Sequence, residues 1–183
     1  MHTIQLKLIS SLIWIMAMTV HAQSPDGTKI YGDPLDGRYL LTYTPEGVVP
    51  SHSQTAFQKG TGNCYYRSLS VPGSLVIPLQ LPDDHRIQGI RYEYIDQVVN
   101  SSEYVEMSLY TFDHFGLFVN EVTVQSSGYL GLDSQFVAIT PAIEVNNALY
   151  SYAIELTDSG NFPVNTDLQH CSVSLSMTSV PAP

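Results

Sequence analysis

The stretch Tyr150-Ser151-Tyr152-Ala153-Ile154-Glu155-Leu156-Thr157 and the stretch Cys171-Ser172-Val173-Ser174-Leu175-Ser176-Met177 decide the fold. Apolar residues stand at every second position of both, with small or polar residues between them. Successive side chains of a β-strand point to opposite faces of the sheet, so this alternation predicts strands with one dry and one wet face. On this pattern Cys171 belongs to the inward face, and His170 belongs to the face in contact with water.

The same alternation recurs upstream in short runs separated by turn signals. The runs are residues 74–81, 87–95, 105–109 and 136–140, and the turns include Pro82-Asp83-Asp84-His85 and Asp113-His114-Phe115-Gly116. Pro78 cannot donate a hydrogen bond within a sheet, which predicts a sheet edge or a bulge at that strand. No segment has the periodicity of a helix. The sequence therefore predicts an all-β fold, an antiparallel β-sandwich of the jelly-roll or immunoglobulin-like kind.

Residues 1–22 have the parts of a secretory signal peptide. Lys7 is the only charged residue there, residues 8–18 form an apolar run, and Ala22 precedes the expected cleavage before Gln23. A membrane anchor is the alternative, but the run is shorter than the roughly 20 apolar residues that span a bilayer. We therefore expect an exported protein, periplasmic or extracellular, without stable membrane insertion.

The segment that follows, residues 23–62, is dense in glycine and proline. Only residues 38–44 (Arg-Tyr-Leu-Leu-Thr-Tyr-Thr) have the composition of a strand. We interpret the segment as a partly ordered N-terminal arm, and an additional strand at a sheet edge is the alternative. The predicted β-sandwich domain then spans residues 63–178, and residues 179–183 form a C-terminal tail.

The two cysteines, Cys64 and Cys171, lie beyond the predicted signal peptide. An even number of cysteines in an exported chain favours a disulfide, and two cysteines allow one intramolecular pairing. The alternative is two unrelated buried thiols. The disulfide would join the first strand of the predicted domain to its last.

Residues 77–96, IPLQLPDDHRIQGIRYEYID, resemble a strand-turn-strand pattern of exported bacterial proteins of uncharacterised function. In that family a "P-V-x-L-P-D-G" strand and turn leads into a strand that ends in aromatic residues and Asp. The resemblance extends over residues 63–178 and implies a β-sandwich without any catalytic residue to carry over. This chain differs from the family at Asp84-His85, where the family turn usually has glycine.

The composition excludes one class of partner. Only 13% of the residues are charged, and 7 Lys and Arg stand against 17 Asp and Glu, a formal net charge of −10. An acidic chain with few cations cannot neutralise a phosphate backbone, so nucleic acid is not an expected partner.

Several polar residues are of types that bind metal ions, but they are not spaced as the ligands of a known metal site are. Asp83-Asp84-His85 and Asp113-His114 could contribute to a metal site, but adjacent residues rarely converge on one ion, and polar turns are the favoured interpretation. For calcium the candidates are Asp158-Ser159-Gly160-Asn161 with Asp167, and Asp26 with Asp33 and Asp36. Neither set matches the EF-hand loop. We expect no cofactor, and calcium is the remaining option.

Catalysis has one candidate set. Paired carboxylates for glycoside hydrolysis could come from Glu93, Asp96, Glu103 and Glu106, although on alternating strands such residues more often line a solvated face. No Gly-x-Ser-x-Gly sequence is present. A secreted hydrolase with an unrecognised carboxylate site is therefore the alternative function.

The aromatic residues indicate a binding function. Tyr110, Phe112, His114 and Phe115 follow one another too closely for all of them to face inward. Exposed aromatic side chains often form surfaces that bind sugars or proteins. The alternative is that these rings cover strand edges or pack under the N-terminal arm. We expect a non-catalytic exported β-sandwich protein that binds a glycan, a surface or a protein partner.

Overall fold

The computed structural model describes residues 29–33, 37–45, 49–50, 56–68, 73–98, 103–126, 130–159 and 166–180. The predicted signal peptide with its cleavage site lies outside the described residues, as does the end of the predicted tail. No helix among the described residues is long and apolar enough to cross a membrane.

The described residues form strands joined by turns. The strands are β1 Lys29–Asp33, β2 Arg38–Tyr43, β3 Val49–Pro50, β4 Phe57–Lys59, β5 Tyr65–Arg67, β6 Leu75–Leu79, β7 His85–Asp96, β8 Val105–Asp113, β9 Phe118–Gln125, β10 Gly131–Glu144, β11 Tyr150–Asp158 and β12 Leu168–Ser179. A 3₁₀ turn, Thr61–Asn63, precedes β5, and no α-helix occurs in the described ranges.

The strands form two sheets, and neighbouring strands pair antiparallel throughout. In the seven-stranded sheet, β12 pairs with β2 and β5 along one edge and with β7 along the other. β1 continues that sheet beyond β2, β4 continues it beyond β5, and β10 continues it beyond β7. The five-stranded sheet has the order β3-β6-β11-β8-β9. The predicted all-β antiparallel β-sandwich is confirmed.

The core lies between the two sheets because the apolar positions of each alternating strand point inward. From the five-stranded sheet come Leu75, Ile77, Leu79, Val105, Met107, Leu109, Val124, Tyr152, Ile154 and Leu156. From the seven-stranded sheet come Tyr39, Leu41, Tyr43, Ile87, Ile90, Tyr92, Tyr94, Leu168, Val173, Leu175 and Met177. Each large side chain that is buried in this way stabilises the fold by about 1.5–3 kcal/mol.

The N-terminal segment is part of the sandwich and is not an arm. β2 is an interior strand that pairs with β1 on one side and with β12 on the other, and Tyr39, Leu41 and Tyr43 are buried in the core. The predicted boundary between residues 62 and 63 is therefore wrong, and so is the alternative of an edge strand for β2. Among the described glycines and prolines of this segment, Gly32 and Pro50 lie within strands, and the others lie between strands.

The turn at Asp83-Asp84 connects β6 to β7, which belong to different sheets, so it is not a hairpin. Asp84 has a φ of 59°, in the left-handed region that favours glycine and that aspartate also tolerates. Pro78 lies opposite Ala153 of β11, and the described residues of β3 pair with Val76 and Leu75 of β6.

The structure contains the predicted disulfide between Cys64 and Cys171. Its surroundings differ from the prediction because β12 has a bulge next to it: His170 is opposite Tyr94 of β7, and Ser172 is already opposite Glu93. The additional residue, Cys171, reverses the alternation of inward and outward side chains along β12. Cys171 therefore lies with Cys64 and Ile95 in a small cluster separate from the main core.

Candidate ligand-binding face

The outer face of the five-stranded sheet presents an aromatic cluster. In β8, Leu109 and Thr111 are buried, so Tyr110 and Phe112, which alternate with them, point away from the core. The turn after β8 contains Gly116 with a φ of 77°, which permits the tight return into β9. Because of that hairpin, Phe118 is placed opposite Phe112.

We call Tyr110, Phe112 and Phe118 the aromatic face. The ring centroids of Tyr110 and Phe118 are 5.0 Å apart, those of Phe112 and Phe118 are 5.0 Å apart, and those of Tyr110 and Phe112 are 5.9 Å apart. All three distances lie in the range of favourable aromatic pairs. Phe118 remains 66% exposed. The three rings thus support one another and still offer an apolar surface to solvent.

Polar side chains continue the same outer face along β8, β9 and β11. Ser108 and Thr123 share a hydrogen bond of 2.9 Å between their hydroxyl oxygens. The Gln125 amide donates to the Glu106 carboxylate at 2.5 Å. Glu121 lies opposite Tyr110, and Glu155 lies opposite Ser108. We call these six residues the polar rows: Glu106, Ser108, Glu121, Thr123, Gln125 and Glu155.

Residues of the polar rows shift the pKa of Tyr110, which belongs to the aromatic face. Partial burial raises the pKa of the Tyr110 hydroxyl, and the nearby carboxylates of Glu155 and Glu121 raise it further, whereas a hydrogen bond with Ser108 lowers it. The phenol is therefore neutral at physiological pH and can donate its proton in a hydrogen bond. The Glu155 carboxylate also accepts a hydrogen bond from Ser74.

Two of the four predicted surface residues belong to the aromatic face and two do not. Tyr110 and Phe112 do. His114 and Phe115 lie in the hairpin turn, where His114 Nε2 contacts the carbonyl oxygen of Ala148 and Phe115 is 89% exposed. The prediction missed Phe118. The one signal in the sequence was the predicted turn at residues 113–116, because Phe118 follows it closely on the strand that returns beside β8.

The candidate metal ligands have other partners. One Asp83 carboxylate oxygen accepts the backbone N–H of Asn147 at 2.7 Å, and His85 Nδ1 is 2.8 Å from the carbonyl oxygen of Asp83. Asp113 accepts the backbone N–H groups of Phe115 and Leu117 at 2.9 and 2.8 Å. These contacts are those of polar turns. Across the described ranges, no group of three or more His, Cys, Asp or Glu residues is arranged to hold a metal ion.

The structure describes only part of each set of calcium candidates. Asp158 is buried and forms an ion pair with Arg67, with 2.6 Å between the guanidinium nitrogen and the carboxylate oxygen. Gly160, Asn161, Asp26 and Asp36 lie outside the described residues.

The candidate carboxylates for hydrolysis are spread over both sheets. Glu93 lies on the outer face of the seven-stranded sheet and accepts a hydrogen bond from Ser172 at 2.7 Å. Asp96 is fully buried and accepts from Ser126 at 2.6 Å. Glu106 belongs to the outer face of the other sheet, and Glu103 precedes β8. No two of these four are hydrogen-bonded to each other in the described part of the chain.

His170 is not on a solvated face, because the bulge at Cys171 turns it inward. Its side chain is 1% exposed, and Nδ1 is 2.6 Å from the hydroxyl oxygen of Tyr92. Burial, together with the positive charge of Arg67, lowers the pKa of His170 to about 3. His170 is thus a neutral core residue beside the Arg67–Asp158 ion pair.

Comparison with known proteins gives distant structural likenesses only. No family model and no curated protein matches the chain. The CBM22-1 xylan-binding domain of Xyn10C from Paenibacillus barcinonensis is similar at 12% identity, with 84% of this chain and 98% of that chain covered and a TM-score of 0.43. A carbohydrate-binding module that recognises mannan, TmCBM27, is similar at 10% identity, with 81% and 94% covered and a TM-score of 0.39. Likenesses at these scores do not decide what this chain binds.

Proposed function

We propose that the chain is a non-catalytic exported protein that binds a glycan through the aromatic face and the polar rows beside it. The observation that carries the proposal is the set of three rings, Tyr110, Phe112 and Phe118, which pack on one another at 5.0–5.9 Å on the outer face of a sheet. No basic or catalytic group is needed for this function.

The chemistry of a sugar fits this arrangement in two parts. The C–H groups on one side of a pyranose ring are apolar and pack against aromatic rings, while the hydroxyl groups at its edge need hydrogen-bond partners. Rings that support one another lose little conformational freedom on binding, which favours affinity. The exposed side chains of Glu121, Thr123 and Gln125, on the same face, supply donors and acceptors for the sugar hydroxyls.

Export is supported by the disulfide, because disulfides persist in oxidising compartments outside the cytosol. N-terminal sequencing of the secreted protein checks removal of the signal peptide, and Gln23 is the expected first residue. Recovery of intact Met1 outside the cytosol would contradict cleavage.

The proposal is tested by glycan-array screening of the mature protein, followed by titration of the best neutral oligosaccharide. We expect Phe118→Ala and Tyr110→Ala each to weaken binding by about ten-fold or more, equivalent to about 1.4 kcal/mol. Phe136→Ala is the matched control, because Phe136 is an exposed ring on the other sheet. Absence of any glycan bound, or equal losses for Phe136→Ala and Phe118→Ala, would overturn the proposal.

A further inference from the structure

Basic residues are distributed unequally between the two sheets, whereas the strands of each sheet contain five acidic residues. Apart from Lys7, every Lys and Arg of the chain lies in a strand of the seven-stranded sheet: Lys29, Arg38, Lys59, Arg67, Arg86 and Arg91. The strands of the five-stranded sheet contain five acidic residues: Glu106, Asp113, Glu121, Glu155 and Asp158. The sheet that carries the aromatic face therefore has negative charge without any Lys or Arg in its strands.

Three of these five carboxylates face the ligand surface. Asp158 is buried and neutralised by Arg67, and the Asp113 carboxylate accepts backbone N–H groups in the hairpin turn. Glu106, Glu121 and Glu155 remain in the polar rows, next to strand positions that adjoin the aromatic face. Their hydrogen-bond partners, Gln125, Thr123 and Ser74, are neutral and leave the negative charge in place.

A carboxylate or sulfate group of a ligand on this surface would meet like charge at close range. Adjacent strands are about 5 Å apart, so a ligand on the polar rows lies well within the Debye length of about 8 Å at physiological salt. Like charges at an interface suppress the wrong partner, while a carboxylate remains a good acceptor for neutral hydroxyl groups.

We infer that the surface selects glycans without anionic groups, and that it rejects glycans that carry uronate or sulfate. This inference rests on the proposed function, because it concerns the ligand class of the same face. The selecting residues are Glu106, Glu121 and Glu155.

The test compares ligands that differ in charge alone. Cellohexaose, mannohexaose and β-galactohexaose are titrated into the mature protein by calorimetry, together with their C6-carboxylated forms and the methyl esters of those forms. The ester controls for the altered shape at C6. We expect a neutral hexaose and its ester to bind, and the free acid to bind about ten-fold more weakly at 20 mM salt and about two-fold more weakly at 0.5 M salt.

The double variant Glu106→Gln/Glu121→Gln assigns the effect to these carboxylates. It should at least halve the ratio between the affinities for the ester and for the free acid, and the Glu155 carboxylate accounts for the difference that remains. Glu144→Gln is the matched control, since it removes one carboxylate from the seven-stranded sheet, where Glu144 pairs with Arg86. Glu144→Gln should leave the ratio of the affinities for the ester and the free acid unchanged.

The two proposals fail in different ways. If the free acid binds as tightly as the ester, or if the double variant leaves their ratio unchanged, the charge inference is wrong and glycan binding stands. If no neutral hexaose or ester binds, and the array shows no other glycan, the proposed function is wrong and the inference fails with it.

Discussion

At the scale of single residues, His170 couples stability to pH. It is buried beside Arg67 and shares a hydrogen bond with Tyr92, and its pKa in the folded protein is lowered to about 3 from 6.5. A histidine with a depressed pKa binds its proton preferentially in the unfolded chain. Its contribution to stability is therefore complete above pH 6.5 and is lost as the pH falls towards 3.

We therefore expect the free energy of unfolding to fall by about 2 kcal/mol between pH 7.5 and pH 5 because of this residue. Urea unfolding of His170→Asn over the same range measures it, since asparagine can still accept from Tyr92 but does not titrate. The free energy of unfolding should fall less steeply with decreasing pH in His170→Asn than in the wild type. In His114→Asn it should fall as steeply as in the wild type. A wild-type slope that His170→Asn leaves unchanged would assign the acid sensitivity elsewhere.

At the scale of strands, the disulfide ties β12 to the start of β5. Cys64 and Cys171 are 107 positions apart, and the chain-entropy model gives about 4.7 kcal/mol for a loop of that size, with smaller measured values common. We expect Cys64→Ser/Cys171→Ser to lower the free energy of unfolding by about 2–5 kcal/mol. Denaturant unfolding of this variant and of the reduced wild type should agree. Free alkylation of both thiols in unreduced native protein would show that the bond is absent.

The strands also show why the sequence predicts some positions and not others. The alternation in β8 and β11 places their faces correctly because neither strand has a bulge opposite the other. In β12 the same reasoning fails at two residues, since the bulge beside them moves Cys171 outward and His170 inward. Period-two patterns cannot reveal a bulge, because its signal is a change of pairing partner. Phe118 was missed for a similar reason, as its place beside Phe112 depends on the hairpin register.

At the scale of the whole molecule, the sandwich needs its N-terminal strands. A chain that starts at Asn63 would lack β1 to β4, and with them the three core residues Tyr39, Leu41 and Tyr43. Local composition hid this dependence, since glycine and proline between short strands resemble a linker. Long-range pairing of β2 with β12 was not readable from either segment alone.

We expect a chain of residues 63–183 to be unfolded or aggregated, because one edge of β12 and the core side chains that pack against β2 would be exposed. A chain of residues 23–183 should give dispersed amide signals in an NMR spectrum and a cooperative thermal transition. Both are compared at the same concentration. A cooperative transition in the shorter chain would show that β1 to β4 are dispensable.

The position of β12 in the chain has a consequence for biosynthesis. β2, β5 and β7 all pair with this strand, which is the last described strand, so the seven-stranded sheet cannot assemble before Leu168–Ser179 has left the ribosome. Contacts between residues so distant in sequence also form slowly, since loop closure must precede them. The nascent chain therefore lacks the complete seven-stranded sheet until β12 has been synthesised. A secretion channel that threads unfolded polypeptide could accept such a chain without first unfolding it.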